Sequence, residues 1–206
     1  HDGISWSQPL NLNPMLESDG DYYPACLSSD GNELYLVKTS SGGGDLYVSL
    51  CRENTWTKPE KLGKSINSIS GETSAFLTAD GQWLYFSSDR AGGKGGLDIY
   101  VAKRIAGNQW GKARNAGKII NTGFDEESPC LTNQGKTIYF SSKGHYSMGG
   151  FDLFYSNKNG KKWSVPVNAG YPVNSTADNN FFVIKQGGKT MYVSKINTVD
   201  QTGEDL

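Results

Sequence analysis

The stretch SSKGHYSMGGFDLFYS, residues 141–156, gathers serine hydroxyls, the imidazole of His145 and the carboxylate of Asp152. These are the residue types of a nucleophile, a general base and an orienting acid, which act together only within hydrogen-bond reach. A catalytic role requires that they are special to this stretch. If the rest of the chain repeats them, their role is structural.

The chain does contain a repeat of about fifty residues. Four tryptophans separated by 50, 54 and 53 residues each begin a segment similar to WTKPEKLGKSIN: Trp6, Trp56, Trp110 and Trp163. Turn pairs recur at the same intervals, at Asp30-Gly31, Asp80-Gly81, Gln134-Gly135 and Gly187-Gly188. The pattern predicts a single propeller domain, or a fragment of one, whose repeats span approximately residues 6–55, 56–109, 110–162 and 163–206.

Each repeat contains four short strand patterns. The first (YPACLS, TSAFLT, SPCLTN, NFFVIK) is mostly apolar, so we expect it to be buried on both faces and joined by a two-residue turn to an alternating second strand. A glycine-rich loop leads to the third strand, and a Gly or Asn turn leads to the Trp strand. Four-stranded antiparallel units without helices predict an all-β protein, a β-propeller. A β-sandwich is the alternative, but it requires no such period.

The two ends of the chain bear on how the ring would close. No strand pattern precedes Trp6, so its strand would have to pair with the last blade, and that blade stops at GEDL, where its third strand begins. Either these residues are a fragment of a larger ring, or a short tail that completes the last blade has been lost. Because propellers have about four to eight blades, we favour the fragment of a larger ring.

The first stretch is therefore a loop and third strand of one blade. Its counterpart SSDRAGGKGGLDIYVA lacks the histidine but keeps the hydroxyls, the glycines and the aspartate. We expect the aspartates before the third strands, Asp45, Asp98 and Asp152, to accept backbone N–H bonds in their loops. Only Lys143, His145, Tyr146 and Met148 remain specific to residues 141–156, and we assign no catalytic residue.

The sequences SPCLTNQGKTIYFSSKGHYSMGGFDLFYS and AFLTADGQWLYFSSDRAGGKGGLDIYVA resemble the WD-like propeller repeats of TolB-type envelope proteins in the Bacteroidetes. The wider pattern is similar to the version that accompanies an OmpA-type peptidoglycan-binding domain, as in PorE-like subunits of the type IX secretion system. The resemblance implies a periplasmic, outer-membrane-associated scaffold. It also implies envelope or secretion-system proteins as partners, and contact with peptidoglycan only through a flanking domain outside these residues.

Composition excludes several other functions. Twenty basic and 21 acidic residues leave no electrostatic footprint for nucleic acid, and no apolar run is long enough to insert into a membrane. Three cysteines, Cys26, Cys51 and Cys130, lack metal-ligand spacing, so we expect no metal and no cofactor. Cys26 and Cys130 occupy equivalent first-strand positions and are expected to be buried free thiols.

The first candidate binding site lies on loops of two successive repeats. It comprises Asp89, Arg90, Lys94, Lys143, His145 and Tyr146. Loops on a rigid scaffold commonly carry binding residues, and these side chains are long and polar. An ordinary solvated loop is the alternative, since a histidine without a second histidine or cysteine nearby is rarely a metal ligand.

The second candidate site is a set of acids where the first strands begin: Asp21, Glu72, Asp125, Glu126, Glu127 and Asp178. If the first strands surround an axis, these carboxylates would line a channel mouth and attract a cation or a basic peptide. Converging acids also raise one another's pKa values. The alternative is that they bond loop amides and link blade to blade.

These patterns together predict a protein-interaction scaffold that is not an enzyme. The competing hypothesis is a propeller that binds a glycan or small ligand, or hydrolyses it, in the axial funnel, since tyrosine, tryptophan, aspartate and asparagine are abundant.

Overall fold

The computed structural model describes residues 8, 11–18, 20–40, 43–180, 182–184 and 190–193. Within them lie three antiparallel sheets, here called blades 1 to 3, and one two-stranded sheet. Blade 1 contains β1 (Tyr22–Leu27), β2 (Glu33–Ser40), β3 (Gly43–Arg52), β4 (Thr55–Trp56) and β5 (Glu60–Lys61). Blade 2 contains β6 (Glu72–Leu77), β7 (Trp83–Ser88), β8 (Asp98–Ala106), β9 (Gln109–Trp110) and β10 (Arg114–Asn115).

Blade 3 contains β11 (Glu126–Thr132), β12 (Thr137–Ser142), β13 (Asp152–Asn159), β14 (Lys162–Trp163) and β15 (Val167–Asn168). A single 3-10 turn, Asn133–Gly135, separates its first two strands, and β16 (Phe182–Ile184) pairs with β17 (Met191–Val193). The predicted fourth strand of each blade is two short pieces that both pair with the third strand. The chain is all-β, and the prediction of antiparallel propeller blades is confirmed.

The connections between first and second strands are longer than predicted. They span residues 28–32, 78–82 and 133–136, so the expected two-residue turns are wrong. In blade 1 the Ser28 hydroxyl donates to Asp30 and accepts the N–H of Glu33, and Ser28 N donates to the Glu33 carbonyl at 2.8 Å. This closed side-chain network stabilises a five-residue loop, because serine and aspartate side chains replace the bonds of a tight turn.

The hydrophobic core lies between successive blades. Tyr35 and Leu46 of blade 1 pack with Leu84 and Phe86 of blade 2. A second cluster, with Ile99 of blade 2 and Ile138, Phe140 and Phe154 of blade 3, fills the next interface. Consecutive residues of the second strands are buried: four of eight in β2 and five of six in both β7 and β12. The predicted alternation of buried and exposed positions along these strands is therefore wrong.

An asparagine pins each connection to the blade before it. Asn67 accepts the N–H of Leu46 at 2.8 Å and donates to the Leu46 carbonyl at 2.9 Å. Asn121 bonds both backbone groups of Ile99 in the same way, and Asn174 bonds those of Leu153. These side chains replace missing ladder bonds, which explains the recurrent Ile-Asn or Val-Asn pair in the sequence.

First-strand burial differs between blades. In β6 and β11 half or more of the residues are fully or nearly buried, but β1 exposes 59% of Tyr23 and 55% of Leu27. The prediction that every first strand is buried on both faces is therefore wrong for β1, whose side chains border an open groove, and for β16, where Val183 is 65% exposed. The strand predicted at Trp6, the turn at Gly187-Gly188 and the third strand beginning at GEDL lie outside the described residues.

Candidate functional site

The antiparallel order of the strands divides the loops between two rims. One, the connector rim, carries the loops from one blade to the next (62–71, 116–125 and 169–178) and the loops from second to third strands (89–97 and 143–151). The other, the turn rim, carries the loops 28–32, 78–82 and 133–136 and the turns that follow the third strands. All six residues of the first candidate site lie on the connector rim.

Arg90 and His145 perform equivalent structural work in blades 2 and 3. The Arg90 guanidinium lies over the rings of Phe86 and Tyr100 and donates to the Ile66 carbonyl. His145 packs its ring against Phe140 and Phe154, and its Nε2–H donates to the Ile120 carbonyl at 2.8 Å. Both side chains close the end of a blade interface and hold the connection between blades, so neither is a free ligand group.

The other members of the first candidate site are more accessible. Asp89 accepts the N–H of Gly71 at 2.7 Å, while Lys94 is exposed. Lys143 pairs with Asp125 at 2.8 Å and lies 4.6 Å above the Phe151 ring. Tyr146 is 100% exposed. A binding role for this set of residues stays a prediction.

The aspartates before the third strands behave as expected in two blades. Asp98 accepts the N–H groups of Lys94 and Gly95, and Asp152 accepts that of Met148. Asp45 instead pairs with Lys61 at 2.7 Å. The serine, histidine and aspartate of residues 141–156 thus have separate structural partners, and this stretch does not assemble a catalytic triad.

Two of the predicted channel-mouth acids are fully buried. Glu72 accepts from the Ser68 and Ser88 hydroxyls, each at 2.8 Å, and pairs with Arg90 at 2.9 Å. Glu126 occupies the same place in blade 3. Neither carboxylate has surface left for a ligand.

Glu126 differs from Glu72 because no cation among the described residues pairs with it. Its donors are the amide and hydroxyl of Thr122, at 2.7 and 2.6 Å, and the Ser142 hydroxyl at 2.8 Å. Burial raises the pKa of the Glu126 carboxyl above its ordinary value, these hydrogen bonds oppose the rise, and the nearby Asp98 adds to it. The raised pKa therefore comes mainly from desolvation and not from a ring of converging acids.

The remaining acids of the second candidate site link neighbouring elements. Asp125 accepts the N–H of Leu97 at 3.0 Å, and Asp178 accepts that of Phe151 at 2.9 Å, so each joins a connection to the preceding blade. Asp21 pairs with Lys38 at 3.2 Å, and Glu127 is half-buried on β11. A cation or basic peptide at a channel mouth stays a prediction for these exposed members.

Sequence reasoning singled out Met148, which is 48% exposed, but missed three other apolar side chains of the connector rim. Ile69 is 100% exposed, Tyr171 86% and Phe124 61%. The repeat does not require them, since aligned positions hold residues as different as Ile69 and Gly123, or Ser70 and Phe124. That irregularity within a regular repeat was the available signal, and we define these four residues with Tyr146 as the rim patch.

A groove of about 2420 Å³ runs along the first strands and continues between blades 2 and 3. In the part of the chain that the structure describes, no three His, Cys, Asp or Glu side chains are grouped to hold a metal ion. No described helix is long and apolar enough to span a membrane.

Comparison by sequence finds no matching family model and no matching curated protein. Comparison by structure finds TolB from Acinetobacter baumannii, at a TM-score of 0.62 and 14% identity, over 90% of this chain and 40% of TolB. A candidate TolB from Agrobacterium tumefaciens matches at 0.53 and 14%, over 85% of this chain and 59% of its own. The chain has a TolB-like β-propeller fold and spans less than two thirds of these proteins.

The prediction that the chain is not an enzyme needs correction. The similar structures include an enzyme, the α-L-arabinofuranosidase of Fusarium graminearum in complex with arabinobiose, at a TM-score of 0.50 and 13% identity, over 84% of this chain and 57% of the enzyme. Likeness at this identity shows the fold alone. A propeller of this kind is thus compatible with catalysis, and the fold gives no ground for excluding it.

Proposed function

We propose that this propeller is a protein-interaction module of a bacterial cell envelope and that it binds its partner through the connector rim. The observation that carries the proposal is the rim patch, where five apolar or aromatic side chains stand exposed on consecutive connections and loops. Exposed large apolar groups gathered on one side of a protein commonly mark an interaction surface.

The backbone around Tyr146 supports the same proposal. His145 and Tyr146 are consecutive non-glycine residues with φ of 55° and 62°, a conformation that costs free energy and clusters at functional sites. The His145 ring, fixed between Phe140 and Phe154, compensates for that cost by anchoring the loop. As a result Tyr146 is held away from the core, the arrangement expected of a pre-organised aromatic anchor.

For the setting, the TolB-like fold and the repeat pattern support a periplasmic protein associated with the outer membrane. The resemblance to PorE-like sequences supports a finer proposal, that the partner belongs to the type IX secretion apparatus or to a related OmpA-associated complex. Under this proposal peptidoglycan is reached through a flanking OmpA-type domain.

The test places a photo-crosslinking residue at Met148 in the full-length protein and identifies the crosslinked envelope proteins by mass spectrometry. Tyr146→Ser combined with Phe124→Ser should abolish the crosslinks. Ile105→Ser is the matched control, because Ile105 is 69% exposed near the C-terminal end of strand β8, at the turn rim. Crosslinks that survive the rim variant, or that the control removes equally, would refute the proposal, and partners outside the secretion apparatus would refute only its finer form.

A further inference from the structure

The turn rim contains a second feature, in the cleft between neighbouring blades. Between blades 1 and 2 the cleft is bridged. Arg104 donates to both carboxylate oxygens of Glu33, at 3.0 and 2.7 Å, and to the Tyr35 hydroxyl at 2.9 Å, while its guanidinium lies 4.7 Å from the Trp110 ring centroid. This network crosses from one blade to the other, and the space that remains beside it is a pocket of about 390 Å³ lined mainly by the two turns.

The cleft between blades 2 and 3 lacks this bridge. The repeat places Trp83 where blade 1 has Glu33, and Lys158 where blade 2 has Arg104. Lys158 does not cross the interface but lies 5.3 Å from the ring centroid of Trp163, in its own blade. Tyr85, the counterpart of Tyr35, has no hydrogen-bond partner for its hydroxyl in the described part of the chain.

The open cleft is part of the large groove and has an apolar floor. Trp83, Tyr85, Val101 and Leu131 line it, and Trp163 stands at its far side. Both tryptophans are half-buried and pack against the core cluster of the blade 2–3 interface. An aromatic floor of this kind accommodates an apolar side chain.

The charged side chains around the cleft are mainly cations. Arg114, Lys158 and Lys161 line it and are exposed, and within the described residues none of them forms an ion pair. The acid beside them, Asp80, already accepts the Thr78 hydroxyl and the Gln82 N–H of its own turn. Three unpaired cations around an apolar floor favour an anionic occupant with an apolar group.

From this geometry we infer that the cleft between blades 2 and 3 binds an acidic peptide segment of another protein. Its carboxylates pair with Arg114, Lys158 and Lys161, and an apolar side chain packs on Trp83 and Trp163. A carbohydrate fits less well, because among the described residues of the groove only Asn115, Asn133 and Gln134 offer side-chain amides for its hydroxyl groups. The site is on the rim opposite the rim patch, and it does not depend on the function proposed for that patch.

The experiment uses the intrinsic fluorescence of the tryptophans and a short peptide in which glutamate and leucine alternate. The same peptide with lysine for glutamate tests the sign of the charge, and polygalacturonate tests an anionic glycan. We expect saturable binding of the acidic peptide alone, weakened by added salt. Lys158→Glu with Lys161→Glu should reduce the affinity about tenfold or more. Lys64→Glu with Lys118→Glu, at exposed positions of the connector rim, should change it less than about twofold.

A second variant tests the site by filling it. Trp83→Glu with Lys158→Arg recreates the pair that bridges the first cleft, and it should abolish peptide binding while the protein stays folded by circular dichroism. No saturable binding of the acidic peptide, equal binding of the basic one, or an affinity unchanged by the Lys158 and Lys161 substitutions would overturn the inference. Preferential binding of polygalacturonate would replace the peptide by a glycan and overturn it as well. If the variant Trp83→Glu with Lys158→Arg fails to fold, the inference is tested by the Lys158 and Lys161 substitutions and their Lys64 and Lys118 control alone.

Discussion

Glu72 and Glu126 occupy the same buried place in successive blades, but within the described part of the chain only Glu72 pairs with a cation. We predict that Glu72→Gln destabilises the protein much more than Glu126→Gln. The first change leaves the Arg90 guanidinium, whose side chain is only 16% exposed, without its carboxylate. The second change leaves no charge behind, because the donors to Glu126 are an amide and two hydroxyls.

The expected magnitudes follow from these contacts. Breaking a buried ion pair by removing one partner costs about 3–5 kcal/mol, since the other charge stays desolvated. Arg90 keeps the Ser88 hydroxyl, the Ile66 carbonyl and two aromatic rings, so we expect the lower end of this range, about 3 kcal/mol. Replacing the ionised Glu126 weakens three hydrogen bonds but removes a desolvation cost, so we expect a change within about 1 kcal/mol.

Urea denaturation followed by tryptophan fluorescence measures both differences in the free energy of unfolding. The control is Glu72→Gln combined with Arg90→Met, which removes both charges and should recover part of the loss, since no guanidinium is then stranded. Equal destabilisation by the two single substitutions would refute the reasoning, because it would mean that Glu126 also depends on a countercharge. A double variant no more stable than Glu72→Gln would refute the role given to Arg90.

Three further predictions concern the same framework. The free energy of unfolding of the natural protein, measured relative to that of Glu126→Gln, should decrease as pH rises. The pKa of Glu126 is raised in the folded protein, so protonation of this carboxyl stabilises the fold in acid, and that stabilisation is lost as the pH rises through the folded-state pKa. A relative stability that increases with pH in urea titrations would contradict this. Asn121→Ala should cost about 3 kcal/mol, since it strands the buried N–H and C=O of Ile99, whereas Asn159→Ala, at an exposed position, should cost little. Burial raises the pKa of Cys26 to about 11 and that of Cys130 to about 12, so both should resist iodoacetamide in the native protein at mildly alkaline pH and react in urea, as peptide mass spectrometry would show.

The strand framework could be predicted from sequence because its signals are local and repeated. The spacing of the tryptophans and the Asp-apolar-aromatic third strands set the units, and the three described sheets follow that order. The lengths of the loops were harder to predict, because they depend on hydrogen bonds made by side chains within each loop. Ser28 and Asp30 support five residues where the Asp-Gly pair alone predicted a turn of two.

The roles of individual loop residues depend on contacts between blades, which a single repeat does not contain. Arg90 and His145 look like exposed ligand groups in the sequence, but each reaches a carbonyl in the preceding connection. They are also one position apart in the aligned repeats, so their equivalence is visible only in three dimensions. The exposure of Phe124 and Ile69 likewise follows from where the connections run over the surface.

The asparagines that tie each connection to the preceding third strand bear on how such a protein can change its size in evolution. Asn67, Asn121 and Asn174 are 54 and 53 residues apart. Each lies in the connection that follows a blade and bonds the third strand of that same blade. A gene segment that runs from just after one of these asparagine codons through the next therefore encodes a complete blade together with the asparagine that bonds it. Duplication or loss of that segment would add or remove a whole blade and leave the asparagine bonds of the other blades intact, so ring size can vary in whole blades.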